Sequence, residues 1–88
     1  MVKIGDHCFI GHSVTFTNDL FKEGHSSANV KDWLSTKIEE QVSIGSGSTI
    51  LPVRIVTGCV IGAGSVVTKD LTVKGVYAGN PARLLKRL

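Results

Sequence analysis

From Ile38 to Val67 an aliphatic residue recurs at every sixth position, with one step of five between Ile50 and Ile55, generally with a small residue four places after it. The hexads run Ile38 to Val42, Ile44 to Ser48, Ile50 to Val53, Ile55 to Cys59, Ile61 to Ser65 and Val67 to Leu71. Such a short period is the mark of a solenoid in which each repeat supplies one short strand and one corner. Three hexads per coil give a three-sided parallel β-helix. The same rhythm opens the chain at Ile4 and Ile10 and breaks off after Phe16.

Register follows from the spacing, because residues one coil apart should stack. From Ile38 to Ile55, Ile44 to Ile61 and Ile50 to Val67 the step is 17 residues each time, one short of three hexads. The missing residue falls at the corner Pro52-Val53. From Ile4 to Ile38, Ile10 to Ile44 and Phe16 to Ile50 the step is 34 in each case, one coil plus a 16-residue insertion. The spacing therefore predicts about three coils with a long loop thrown out between about Asp19 and Thr36. It assigns residues 1–72 to the β-helix and 73–88 to a C-terminal extension.

At 88 residues the chain makes one small domain, a size at which only about two-thirds or less of the unfolded surface is buried. Three coils lie close to the fewest repeats that sustain a continuous core, so marginal stability is expected from one chain alone. No polar cap precedes Ile4, so a partner or further coils should cover that end. Met1 to Ile10 contains Lys3, Asp6 and His7 and never builds the apolar run of a signal peptide. Nothing approaches the roughly 20 apolar residues that span a bilayer. These features predict a soluble, cytoplasmic protein without membrane insertion. Cys8 and Cys59 fall at the small inward position of the first side with Val42 between them. They are two strand spacings apart, roughly 9–10 Å, beyond the ~7 Å reach of a disulfide, so both are expected as buried thiols.

The formal net charge is +3, and the final six residues, Arg83 to Leu88, hold three cations and no anion. A basic tail can meet nucleic acid, a membrane surface or a phosphorylated small molecule. Aromatic residues are absent from the tail, which argues against stacking on nucleic acid bases. Asn80-Pro81 reads as an N-cap followed by a first helical residue. The tail is thus expected as a short helix whose C-terminal cations favour its dipole.

Ile61-Gly62-Ala63-Gly64-Ser65-Val66-Val67-Thr68-Lys69-Asp70, followed by Tyr77-Ala78-Gly79-Asn80-Pro81-Ala82-Arg83, resembles the C-terminal signature of the hexapeptide-repeat acyltransferases. That family has a left-handed β-helix, an exception to the usual hand of parallel crossovers. Phe16-Thr17-Asn18-Asp19, with Trp33 in the loop beyond, resembles the branch that N-acetylates nucleotide-linked amino sugars for surface polysaccharides. The resemblance implies an all-β fold, acetyl-coenzyme A as co-substrate, a sugar acceptor and a homotrimer with ligands in clefts between subunits. Members usually carry several further coils before the position of Ile4.

The candidate site residues follow from both lines of reasoning. Gly62, Ala63 and Gly64 lack bulk, so a ligand arm can approach the backbone of that corner; the alternative is that the corner itself requires glycine. Lys69, Asn80, Arg83, Lys86 and Arg87 are candidates for the coenzyme, the cations through charge-assisted contacts with its phosphates. Asn18 and Asp19 sit where coil gives way to loop, positions suited to an acceptor or to ordinary turn chemistry. His12 lies at a corner and points outward, either as a general base or as a solvated or interface histidine. His7 and His12 together raise a second class, a zinc-dependent carbonic-anhydrase-like protein, whose corner spacing they match poorly. Neither a resident metal nor nucleic acid is expected. Phe21 and Trp33 are candidates for covering a cleft, and a non-catalytic scaffold is the third reading.

Overall fold

The computed structural model describes residues 2–17 and 35–88, and among them every regular element is a β-strand. Nine short strands wind through the coils: β1 (Val2–Ile4), β2 (Phe9–Ile10), β3 (Thr15–Phe16), β4 (Thr36–Ile38), β5 (Ser43–Ile44), β6 (Thr49–Ile50), β7 (Arg54–Ile55), β8 (Val60–Ile61) and β9 (Val66–Val67). Two more, β10 (Gly75–Ala78) and β11 (Arg83–Arg87), close the chain. The strands form three sheets, ordered β1-β4-β7, β2-β5-β8-β10-β11 and β3-β6-β9. All pairings are parallel except that of β10 with β11.

The observed register is the one the spacing predicts. Ile4 pairs with Ile38 and Ile38 with Ile55; Ile10 with Ile44 and Ile44 with Ile61; Phe16 with Ile50 and Ile50 with Val67. These side chains point inward, where β-branched isoleucine and valine and the aromatic Phe16 pack well on a pleated surface. Ile38, Ile44, Ile50, Ile55, Ile61 and Val67 are buried. Burial decays toward the open first coil, where Ile4 is 45% exposed while its stacked partner Ile38 is 1% exposed. Cys59 is buried and Cys8 half-buried, both as free thiols.

Tight corners between strands need backbone in the left-handed region, and Gly47, Gly58 and Gly64 supply it at φ of 74, 80 and 69°. His7, Ser13 and Gln41 hold the same conformation at φ of 56 to 58°. The first corner (residues 5–8, 39–42 and 56–59) joins the first sheet to the second; the second corner (11–14, 45–48 and 62–65) joins the second to the third. The third corner returns to the first sheet through Leu51-Pro52-Val53. The insertion ends earlier than expected, since Thr36 already begins β4.

The C-terminal helix expected after Asn80-Pro81 is absent. Instead Gly79 to Ala82 form a turn, in which the Asn80–Pro81 bond is cis, and the tail returns as β11 antiparallel to β10. The reason is edge pairing: β10 takes the open edge of β8, and its own outer edge, whose backbone groups need partners, then draws the tail in as a strand. Tyr77 stacks on Ile61 and Leu71 on Ile55, each 16 residues on, making a short fourth coil. β11 then covers the outer edge of β10.

Candidate active site at the second corner

Along the second corner His12, Ser46 and Ala63 stand one above another in successive coils. The His12 N–H donates to Ser46 Oγ at 3.1 Å, Gly47 N–H to the His12 carbonyl at 2.8 Å, and Gly64 N–H to the Ser46 carbonyl at 2.9 Å. His12 is exposed, as expected of a corner side chain, and lies two strand spacings from Ala63, roughly 9–10 Å.

Two buried hydroxyls hold the inside of this corner. Ser48 Oγ donates to the Gly62 carbonyl at 3.1 Å and accepts the Ser65 N–H at 3.3 Å. Ser65 Oγ donates to the same carbonyl at 2.6 Å and accepts the Gly79 N–H at 3.3 Å. Buried polar groups with partners of this kind stabilise the corner rather than burden it. Sequence reasoning recorded these serines only as small residues; their place four residues after Ile44 and Ile61 was the available signal.

Those bonds set the Gly79 to Ala82 turn on the corner. Gly62 N–H donates to the Tyr77 carbonyl at 2.8 Å, Val66 N–H to that of Gly79 at 2.9 Å, and Ala82 N–H to that of Val66 at 2.8 Å. Gly79 and Ala82 are thereby held against Ser65 and Val66, with Asn80 in the turn between them, while Arg83 pairs with Ala78 and so stands two strand spacings from Gly62, roughly 9–10 Å. Of the three corner N–H groups, Gly62 and Gly64 are committed to the coil ladder. The Ala63 N–H, on an exposed residue, donates to nothing among the described residues.

Glycine at this corner is accounted for by the fold. A Cβ on Gly62 would meet Ala78 Cβ at 3.0 Å, and Gly64 holds positive φ. The alternative reading, that the corner requires glycine, therefore explains both residues. The open donor between them is what remains for a ligand.

The remaining candidates spread apart. Lys69 lies beyond β9, on the third corner. Arg87 pairs with Gly75 and Lys86 with Val76, at the opposite end of β11 from Arg83. Four extended residue steps separate Arg83 from Arg87, roughly 13 Å at strand rise. A helix would have gathered Arg83, Lys86 and Arg87 on one face; the strand does not. Asn18, Asp19, Phe21 and Trp33 lie outside the described residues.

Charge is distributed by corner. The second corner carries no acidic residue in any coil, whereas the first carries Asp6, Glu39 and Glu40. Glu39 accepts from Arg54 Nε, and also from the N–H and hydroxyl of Thr57, both at 3.2 Å. The hydrogen bond from Arg54 holds its carboxyl below the usual carboxylate range. Burial pushes the Cys59 thiol up. Among the described residues no three His, Cys, Asp or Glu side chains converge as a metal ion would need, and no helix is long and apolar enough to cross a membrane.

An exposed corner with a free donor, no carboxylate and an arginine on the outer strand of the same sheet suits an anionic ligand with a thin arm. Comparison with known proteins gives that arrangement a context. Residues 1–16 and 35–69 match the family described as "Hexapeptide repeat of succinyl-transferase". The galactoside O-acetyltransferase of Lactococcus lactis is 38% identical over 95 residues, covering 99% of this chain and 44% of that protein. A hexapeptide-repeat acetyltransferase of Vibrio cholerae solved with acetyl coenzyme A superposes with a TM-score of 0.83 at 30% identity, over 99% of this chain and 49% of that one. A galactoside acetyltransferase solved with coenzyme A gives 0.81 at 33% identity, over 98% and 44%. The chain thus spans less than half the length of these relatives. A coil of opposite hand would not superpose at such scores, so the hand is the family's, left. The chain belongs to the hexapeptide-repeat acyltransferase family.

Proposed function

We propose that the chain is the acyl-transfer unit of an acetyl-coenzyme A-dependent acetyltransferase that acts on a sugar, at the amino group of a nucleotide-linked amino sugar. The observation that carries this reading is the Gly79 to Ala82 turn seated on the Gly62-Ala63-Gly64 corner. The turn leaves the Ala63 N–H open on a corner without carboxylates, which supports Asn80 in the turn and Arg83 after it as ligand residues. The coenzyme's phosphates meet Arg83, and its amide-bearing arm runs along the corner past Ala63. Because one chain spreads Lys69, Lys86 and Arg87 away from this point, they serve the coenzyme from an adjoining subunit of a homotrimer. The setting is cytoplasmic, where acetyl-coenzyme A is available.

In the reaction the acceptor nitrogen, held by Asn18 with Asp19 on its protonated form, attacks the thioester carbonyl once neutral. A C–N bond forms, a backbone N–H steadies the developing oxyanion, and the C–S bond breaks. His12 or the departing thiolate takes the proton. A hydroxyl acceptor is the second reading, favoured by the similarity to a galactoside O-acetyltransferase. Oxygen is the weaker nucleophile, so in that reading His12 is required as base, whereas an amine proceeds without it.

Purified protein incubated with acetyl-coenzyme A and a panel of neutral and nucleotide-linked sugars tests the proposal through thiol release. Release that depends on an amino-sugar acceptor supports it. Release only with hydroxyl acceptors moves the assignment to O-acetylation, and no acceptor-dependent release overturns it.

A further inference from the structure

We propose that the outer face of the first sheet holds a second site, for a small polyhydroxylated anion of the sugar phosphate or sugar acid class. Lys3, Lys37 and Arg54 occupy one register position on β1, β4 and β7. They alternate with the inward isoleucines and so form an outward column at the ~4.8 Å spacing of strands. Like charges directly opposite one another are unfavourable, so the column calls for negative charge. Arg54 has it: its side chain is bound to Glu39, and its N–H is taken by the Asp70 carboxylate at 2.9 Å. Lys3 and Lys37 form no ion pair among the described residues.

Beside this pair opens a depression of about 360 Å³, lined by Gly5, Lys37, Glu39, Glu40, Arg54 and Thr57. Its volume is within the range of small-molecule sites, but its lining is polar and of both signs. That lining selects the ligand class. An apolar molecule finds no aliphatic or aromatic wall, and a polyanion meets the carboxylates of Glu39 and Glu40. A single anionic group on a body rich in hydroxyls suits both halves. The ammonium group of Lys37 takes the anion, with Lys3 next to it on the column though outside the lining, and Glu40 and the Thr57 hydroxyl, whose own proton goes to Glu39, accept from the ligand's hydroxyls. Glu39, locked by Arg54 and Thr57, fixes the rim. None of these residues belongs to the second corner, so the site stands independently of acetyl transfer there.

Amide proton–nitrogen correlation spectra of the whole chain, titrated separately with glucose 1-phosphate and with glucuronate, test the proposal. Inorganic phosphate and glucose serve as comparators. The expected result is saturable shifts at Gly5, Lys37, Glu40 and Thr57 with one or both sugar anions, weaker with phosphate and absent with glucose. Lys37→Gln should weaken binding about fivefold. Shifts confined to residues 62–64, phosphate binding as tight as the sugar anions, or an unaffected Lys37→Gln variant would overturn it, as would no shifts at all. A parallel titration with coenzyme A reports on the second corner by different amides, so failure of one site is read apart from failure of the other.

Discussion

Two glycines of the second corner, two residues apart, should respond to the same substitution for different reasons. A Cβ on Gly45 would stand 2.5 Å from Ala63 N and 2.7 Å from Ala63 Cα, whereas a Cβ on Gly47 meets nothing within 4 Å. The first is roughly 1 Å inside ordinary van der Waals contact, against backbone that cannot swing aside. Gly45→Ala must therefore wedge the second and third coils apart and strain the β5–β8 pairing. Overpacking of that kind costs about 3 kcal/mol. Gly47→Ala costs about 1–2 kcal/mol, because its φ of 74° is unfavourable for a residue with a Cβ. Gly47→Asn should cost less, since asparagine visits this region readily and Gln41 and Ser13 already hold it at corners of the same coil path. At 0.05–0.15 kcal/mol per residue the whole chain has roughly 4–13 kcal/mol of stability, so Gly45→Ala removes a large share. Urea unfolding followed by circular dichroism reads the differences as shifts in midpoint at constant slope. The expected order is parent, Gly47→Asn, Gly47→Ala, Gly45→Ala. A Gly45→Ala variant as stable as Gly47→Asn would refute the close stacking of these coils.

Other expectations concern chemistry and pH. With a hydroxyl acceptor His12→Ala should lower kcat by about 10²–10⁴, and with an amine by only a few-fold; a few-fold loss with both removes His12 as a base. Asn18→Ala should raise the acceptor KM or lower kcat, and no change in either takes Asn18 out of the acceptor site. The Glu39 carboxyl has a lowered folded-state pKa, so its contribution to stability is present above the ordinary carboxylate range and lost as pH falls through the folded value. Thermal midpoints of the parent and Glu39→Gln should differ at neutral pH and converge in acid; a constant gap would show that ionisation is not involved. The Cys59 thiol is buried with a raised pKa, so alkylation should reach it only when the chain unfolds, and rapid native labelling would contradict the packed third coil.

The periodicity made the three columns legible because the interior admits one aliphatic side chain per strand, and that demand leaves a fixed spacing in the sequence. Even the shortened corner at Pro52-Val53 showed as a 17-residue step. The tail was not legible in the same way. Asn80-Pro81 is equally good chemistry for a helix start and for a turn, and the choice was made by the outer edge of β10, which exists only once β10 is stacked on β8. The 16-residue steps from Ile55 to Leu71 and from Ile61 to Tyr77 were the overlooked sign of a fourth, shorter coil. Misreading strand as helix also gathered Arg83, Lys86 and Arg87 into one patch that extended chain separates. Gly62 and Gly64 showed in sequence as a possible ligand surface, whereas their packing and φ reveal requirements of the corner. The open Ala63 N–H between them depends on which ladder bonds form, a matter of geometry rather than residue type.

Calorimetric titration of the parent chain and of Arg83→Ala with coenzyme A tests the central claim most directly. The account predicts saturable binding by the parent, weakened several-fold in Arg83→Ala as expected for loss of a charge-assisted phosphate contact. No detectable binding by the parent, or equal affinity in the two proteins, would contradict a coenzyme site built on the second corner.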